Sequence, residues 1–173
     1  MRPDATPRTD FCVFHRGDRD FAVSTHLAKE VIESRSLTTV PFSPPELLGA
    51  LNLRGEVVPL VTLDSFLDLP VRPLSRGDTL LVLASGDLRF AAVVDRVASV
   101  KHFSPWEVRR EVEGEPPPGE LVRGYAGTAG ERLIVLDGEA LIATVVQRIA
   151  EGFRHHPIPE SSNATQVAPA EED

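Results

Sequence analysis

The sequence predicts a mainly β protein that ends in one amphipathic helix, and three observations carry that prediction. Apolar runs of four to eight residues recur along the chain, each bounded by Gly, Asp, Ser or Pro, the punctuation of strands separated by tight turns. The chain also resembles itself. Phe21-Ala22-Val23 aligns with Phe90-Ala91-Ala92 and sets Val31 opposite Val100, while Gly49 and Gly55-Glu56 align with Gly124 and Gly130-Glu131. A unit this long occurring twice predicts two similar lobes, one copy in each, rather than a solenoid. Near the end, Leu141, Ile142, Val145, Val146 and Ile149 fall at helical spacing.

Taken in order, residues 1–9 are polar and carry two prolines, which reads as a tail. Strands are expected at 11–15 and 20–24, joined through His15-Arg16-Gly17-Asp18, whose Gly and Asp suit a hairpin. Residues 25–34 (THLAKEVIES) put Leu27 and Val31 on one helical face with Thr25 as a cap, so a helix is expected there. A strand at 55–63 follows the polar segment Asn52-Leu53-Arg54-Gly55, and 64–69 is a short turn ended by Pro70. Strands at 79–84 and 88–94 flank Ser85-Gly86-Asp87. The segment 106–120, with Pro116, Pro117 and Pro118, is expected to be a surface connector. Strands at 124–129 and 131–137 lead into a helix at 139–153, with Gly152 as its stop. Residues 154–173 are rich in Pro, Ser and acids and read as a second tail, leaving 10–153 as the folded domain. Most pairing should be antiparallel.

Composition narrows the function. The 173 residues are 42% hydrophobic and 25% charged, which suits an ordinary soluble domain. A net charge of −8 argues against a nucleic-acid partner, because Arg109-Arg110 and Arg154-His155-His156 are too short to track a phosphate backbone. The single cysteine, Cys12, sits in an apolar run and reads as a small buried hydrophobe in a reducing compartment. No secretory leader is evident, and no run approaches the roughly 20 apolar residues of a membrane span, so a cytoplasmic location is expected.

No catalytic constellation stands out. The glycines of 124–130 lead into a strand and lack the lysine of a phosphate-binding loop. The five histidines form no spaced set with cysteines or carboxylates that would hold a metal. Ser24 and His26 are near in sequence but have no orienting acid in view. Thus no catalytic residue, metal or cofactor is expected, and a β-rich core without chemistry points to recognition.

The stretch PPELLGALNLRGEVVPLVTLDSFLDLP resembles the centre of the CheW-like family, adaptor proteins of bacterial chemosensory arrays: a glycine, then N-L-R-G, then a V-x-P strand and a short helix. Gly49, Asn52, Leu53, Arg54, Gly55, Val57, Val58 and Pro59 carry the match, and similar text runs from about residue 10 to 149. The resemblance implies two small, interleaved five-stranded β-barrel lobes sharing a hydrophobic core, with short helices and a C-terminal helix. It implies a non-enzymatic scaffold that couples the cytoplasmic hairpin tip of chemoreceptors to the regulatory domain of a CheA-type histidine kinase, recruited to membrane-associated arrays without inserting in the membrane.

Carried over position by position, Arg54 and Glu30 are expected to form an ion pair bracing the receptor-facing surface. Ala28, Val31 and Gly49 fall at receptor-contact positions, and Asn52, Leu53 and Gly55 complete the expected partner-binding set. Two departures stand out: Thr62 replaces a usual aspartate, retained in the second half as Asp137, and Asp64 replaces a basic residue. If those changes alter partner-facing charge, the protein is a divergent adaptor that binds only receptor or only kinase. An enzyme with a small-molecule site between the lobes is the remaining reading.

Overall fold

A computed structural model describes residues 9–155; most of the two expected tails, 1–8 and 156–173, lies outside the described residues. Ten strands precede one helix: β1 Thr9–Arg16, β2 Arg19–Ser24, β3 Ala28–Glu33, β4 Leu47–Leu53, β5 Glu56–Val61, β6 Thr79–Ser85, β7 Leu88–Val94, β8 Arg96–Phe103, β9 Val122–Ala126, β10 Leu133–Leu136 and α1 Gly138–His155.

The strands form two five-stranded sheets, ordered β8-β1-β2-β10-β9 and β3-β6-β7-β5-β4. Adding five to a strand number converts one order into the other, so β1–β5 and β6–β10 are the two copies of the repeat. The aligned triplets fall in β2 and β7, Val31 and Val100 in β3 and β8, and the paired glycines in the β4–β5 and β9–β10 hairpins. The copies are nevertheless interleaved. Each sheet takes a hairpin from one copy and three strands from the other, which corrects the expectation of one copy per lobe. Interleaving requires two parallel pairs, β10 with β2 and β5 with β7, among otherwise antiparallel ladders.

Residues 25–34 are not a helix. Leu27 and Val31 are spaced for one, but Ala28, Glu30 and Ile32 alternate inward along β3, which pairs with β6 from Ala28↔Leu83 to Glu33↔Thr79. The β-branched pair Val31-Ile32 suits that ladder, and the edge of β6 would otherwise be unpaired. β4 and β8 were not expected as strands either. β8 is almost wholly exposed, so it lacks the apolar alternation that announces a strand. Nor does Gly152 stop the helix: α1 continues to His155, and a side chain at Gly152 would collide with Pro44, the nearest Pro44 atom lying 2.5 Å from a Cβ.

The apolar runs are explained by burial on both faces. Along β1 and β2, Cys12, Phe14, Phe21 and Val23 point into a core shared by the two sheets, while Phe11, Val13 and Ala22 fill a second core within their own lobe. On β6 and β7, Leu81, Leu83, Phe90 and Ala92 enter the shared core, and Leu80, Val82, Ala91 and Val93 fill the other lobe. Helix α1 joins the shared core through Leu141, Ile142 and Val145. Cys12 lies there too, and burial pushes its thiol pKa up. It should therefore resist an aqueous thiol reagent in the folded protein and react promptly in denaturant. Rapid modification at neutral pH without unfolding would contradict this placement.

Each sheet is rounded into a barrel by the segment that leaves its edge strand. After β3 the chain crosses to β4, where Thr38 and Ala50 exchange both backbone hydrogen bonds at 2.8 and 2.9 Å. After β8 it crosses to β9, where Arg109 and Tyr125 do the same at 2.9 and 2.8 Å. The residue before each bridge is a glycine of the repeat, Gly49 or Gly124, and in each case a Cβ would press on the crossing carbonyl. The connector to β9 is held where the Tyr125 hydroxyl donates to the Pro116 carbonyl at 2.8 Å.

Candidate partner-binding site

The β4–β5 hairpin turns on Arg54 and Gly55, with φ of 52 and 88 between Leu53 and Glu56. Positive φ at both central residues is the arrangement whose twist suits a two-residue hairpin. Gly55 adopts it freely; Arg54 does so at a cost of about 1–2 kcal/mol. The Asn52 side-chain oxygen accepts the Gly55 N–H at 2.8 Å and holds the turn.

The turn aims Arg54 across the seam between the two edge strands of its sheet. Its guanidinium donates to both oxygens of Glu30 on β3, at 3.1 and 2.7 Å. The Arg54 side chain is 76% exposed and that of Glu30 21%, so the pair adds at most about 1 kcal/mol to stability. What the two-pronged geometry does is fix both side chains in one arrangement. A groove runs along the same seam, with Val31, Asn52 and Leu53 among its lining residues; Glu30 and Arg54 do not line it. Val31 is 49% exposed, an apolar side chain presented to solvent.

Six of the expected residues therefore meet at one seam: Glu30, Val31, Asn52, Leu53, Arg54 and Gly55. Ala28 lies beyond a bulge in β3 and packs half-buried against the shared core. Gly49 is buried under the Thr38 carbonyl, so it shapes the seam without presenting a surface.

Thr62 and Asp64 are buried, not partner-facing. The Thr62 hydroxyl accepts the Asp64 N–H at 3.2 Å, opening the 3-10 turn Asp64–Phe66. Its counterpart Asp137 accepts the Ala140 N–H at 3.1 Å, opening α1. Thr62 stands one residue ahead of the turn's N-cap, Leu63, which has no side-chain cap, so it holds the entry to the turn without repeating the cap that Asp137 makes.

Asp64 belongs to an interior charge network that the sequence reading missed. Its two oxygens accept from Arg16 Nε and a terminal Arg16 nitrogen, both at 2.6 Å, and one also accepts the Arg72 N–H at 3.0 Å. Arg16 reaches Asp95 at 3.2 Å as well, and Arg72 lies 3.0 Å from the same carboxylate. Burial by itself raises the Asp64 pKa, but the hydrogen bonds from Arg16 and Arg72 and the Arg16 charge outweigh it and hold the carboxyl below its usual range. For Arg16, burial lowers the pKa and the two aspartates more than restore it. The available signal was an acid set between Leu63 and Phe66-Leu67 in a run otherwise suited to the core.

Ser24 and His26 do acquire an acid: the Ser24 hydroxyl lies 2.6 Å from His26 Nδ1, and His26 Nε2 lies 3.6 Å from Glu139. The last distance is beyond a hydrogen bond, and the imidazole and carboxylate are 68% and 57% exposed. Such an arrangement neither excludes water nor forms the orienting bond a nucleophilic serine requires.

Comparison with known proteins agrees with this architecture. The CheW-like domain family matches residues 10–146. The chemotaxis protein CheW of Treponema pallidum (strain Nichols) is 26% identical over 136 residues, spanning 76% of this chain and 80% of the relative. Protein FrzA of Myxococcus xanthus is 26% identical over 156 residues, spanning 86% and 98%. The crystal structure of the scaffolding protein TtCheW from Thermoanaerobacter tengcongensis superposes with a TM-score of 0.64 at 20% identity, covering 79% of this chain and 89% of that one, a likeness of fold. With the repeat, the interleaved barrels and the Asn52–Gly55 hairpin in place, the chain belongs to the CheW-like domain family.

Proposed function

We propose that this protein is a non-enzymatic adaptor that couples chemoreceptors to a CheA-type histidine kinase. The observation that carries the reading is the Arg54–Glu30 pair, which orders an exposed hairpin beside a seam of mixed polar and apolar lining while contributing little to stability. Relatives of comparable length, among them chemotaxis proteins, support the same role. The receptor's cytoplasmic hairpin tip would lie against Val31 and Leu53, with Arg54, Glu30 and Asn52 at the rim, Ala28 supporting the start of β3 and Gly49 setting the width of the seam. The kinase regulatory domain would dock on other barrel faces. The protein works in the cytoplasm and reaches membrane-associated arrays through these partners; among the described residues no helix is long and apolar enough to cross a membrane.

The one-partner alternative drew on Thr62 and Asp64, and their burial removes the altered surface charge that motivated it. Charge exchange tests the main reading. In pull-downs with a receptor cytoplasmic hairpin, Glu30→Arg and Arg54→Glu should each weaken capture by about tenfold or more, and the double exchange should restore most of it. Independent, additive losses would show that the pair does not act as a unit. Capture of neither the hairpin nor the kinase regulatory domain by the unaltered protein at micromolar concentration would overturn the adaptor role.

A further inference from the structure

Among the described residues, Arg35 and Arg76 make no ion pair and no hydrogen bond, in a chain with 26 acidic against 18 Lys and Arg side chains. Both line one groove, between residues 33–37 and 74–77. The backbone brings them together. The β3–β6 ladder ends at Glu33↔Thr79, and two more backbone bonds tie the segments just beyond it: the Ser34 N–H donates to the Asp78 carbonyl at 2.7 Å, and the Gly77 N–H donates to the Ser34 carbonyl at 3.2 Å. Arg35 follows Ser34 and Arg76 precedes Gly77, so the two side chains leave neighbouring, hydrogen-bonded backbone segments.

Like charges on neighbouring backbone segments repel, and nothing among the described residues relieves them. Asp78 is engaged elsewhere, accepting the Ser75 N–H at 2.7 Å and lying 3.5 Å from Arg72. Glu33, the one acid on the wall, pairs with neither arginine. The other lining groups are the serines 34, 36 and 75, which supply neutral hydrogen bonds, and Leu37 and Leu74, half-buried against the lobe core, which supply an apolar floor.

We propose that this groove docks an acidic peptide segment of a partner protein, two carboxylates meeting Arg35 and Arg76 while a neighbouring apolar side chain rests on Leu37 and Leu74. The groove adjoins the seam through Glu33, Arg35 and Ser36, so one partner can span both, but the charge argument does not depend on who that partner is. Two-point contact by guanidinium forks gives such a segment direction as well as attraction.

The test is fluorescence polarisation of the complete chain with a labelled Glu-Glu-Leu-Glu-Glu-Leu peptide at low salt. Saturable binding is expected, absent for the matching Gln peptide and weakened by added salt. R35Q/R76Q should reduce affinity about tenfold or more with an unchanged thermal melt, while R110Q/R123Q, which removes two other arginines that make no ion pair among the described residues, should leave it within about twofold. Equal losses from the two double variants would mean diffuse attraction and overturn the proposal. So would no saturable binding, or binding of inorganic phosphate alone at Arg35 and Arg76 without the peptide.

Discussion

Replacing Asp64 with asparagine is expected to remove about 3–5 kcal/mol of stability at neutral pH, because it leaves the Arg16 guanidinium charged in an interior where its side chain is only 3% exposed. For a chain of this size that corresponds to a fall in Tm of roughly 6–20 °C. Asp95 does not rescue it: that carboxylate is 29% exposed, shared with Arg72, and meets Arg16 through one contact at 3.2 Å. Removing both charges is a different matter. Arg16→Met with Asp64→Leu eliminates the desolvated ions together, so the double variant should be more stable than Asp64→Asn alone. A loss below about 1 kcal/mol in urea unfolding of Asp64→Asn would mean that the pair is not buried as described.

The same pair fixes a pH dependence and its sign. The folded protein holds Asp64 below its usual pKa despite burial, so ionisation favours the folded state. This stability is fully present above the ordinary carboxylate value near 4 and is lost as pH falls through the depressed folded value. Asparagine cannot titrate. The gap between the unaltered protein and Asp64→Asn should therefore stay constant from about pH 7 to 5 and narrow in stronger acid. A gap that widens on acidification would reverse the assignment.

The contrast between this pair and Arg54–Glu30 explains what could be read from the sequence. Hairpins such as Gly17-Asp18 and Gly86-Asp87 were legible because local turn chemistry dictates them. The repeat was legible because its aligned glycines answer backbone demands: Gly49 and Gly124 leave no room for a side chain, and Gly55 and Gly130 turn the chain with φ of 88 and 95. Interleaving came with the family resemblance and could not be read from the repeat itself, since which hairpin joins which sheet depends on contacts between distant strands. β3 was misread for the same reason: the helical spacing of Leu27 and Val31 is real, but pairing with β6 prevails over it. At the site, the family resemblance located Arg54 and Glu30, whereas Asp64 looked like a surface substitution until the fold set Arg16 beside it.

Alanine at Gly49 and at Gly124 makes a matched experiment across the repeat. At Gly124 a Cβ would stand 2.6 Å from the Arg109 carbonyl oxygen, and at Gly49, where φ is 156, it would stand 2.9 Å from that of Thr38. Neither carbonyl can yield without loosening the bridge that closes its barrel, so each variant should lose about 1–3 kcal/mol. Hydrogen exchange should quicken at Ala50 and Thr38 in one and at Tyr125 and Arg109 in the other, because those amides form the two bridges. Their effects on binding should diverge. Gly49 lies on β4, whose edge must stand at the right distance from β3 for Arg54 to grasp Glu30; Gly124 closes the opposite lobe. At a temperature where both variants stay folded, Gly49→Ala should weaken capture of a receptor hairpin by about tenfold and Gly124→Ala by less than about twofold. Equal weakening would place the receptor surface elsewhere, or make it a property of both lobes, and the seam would then be only the join that completes a barrel.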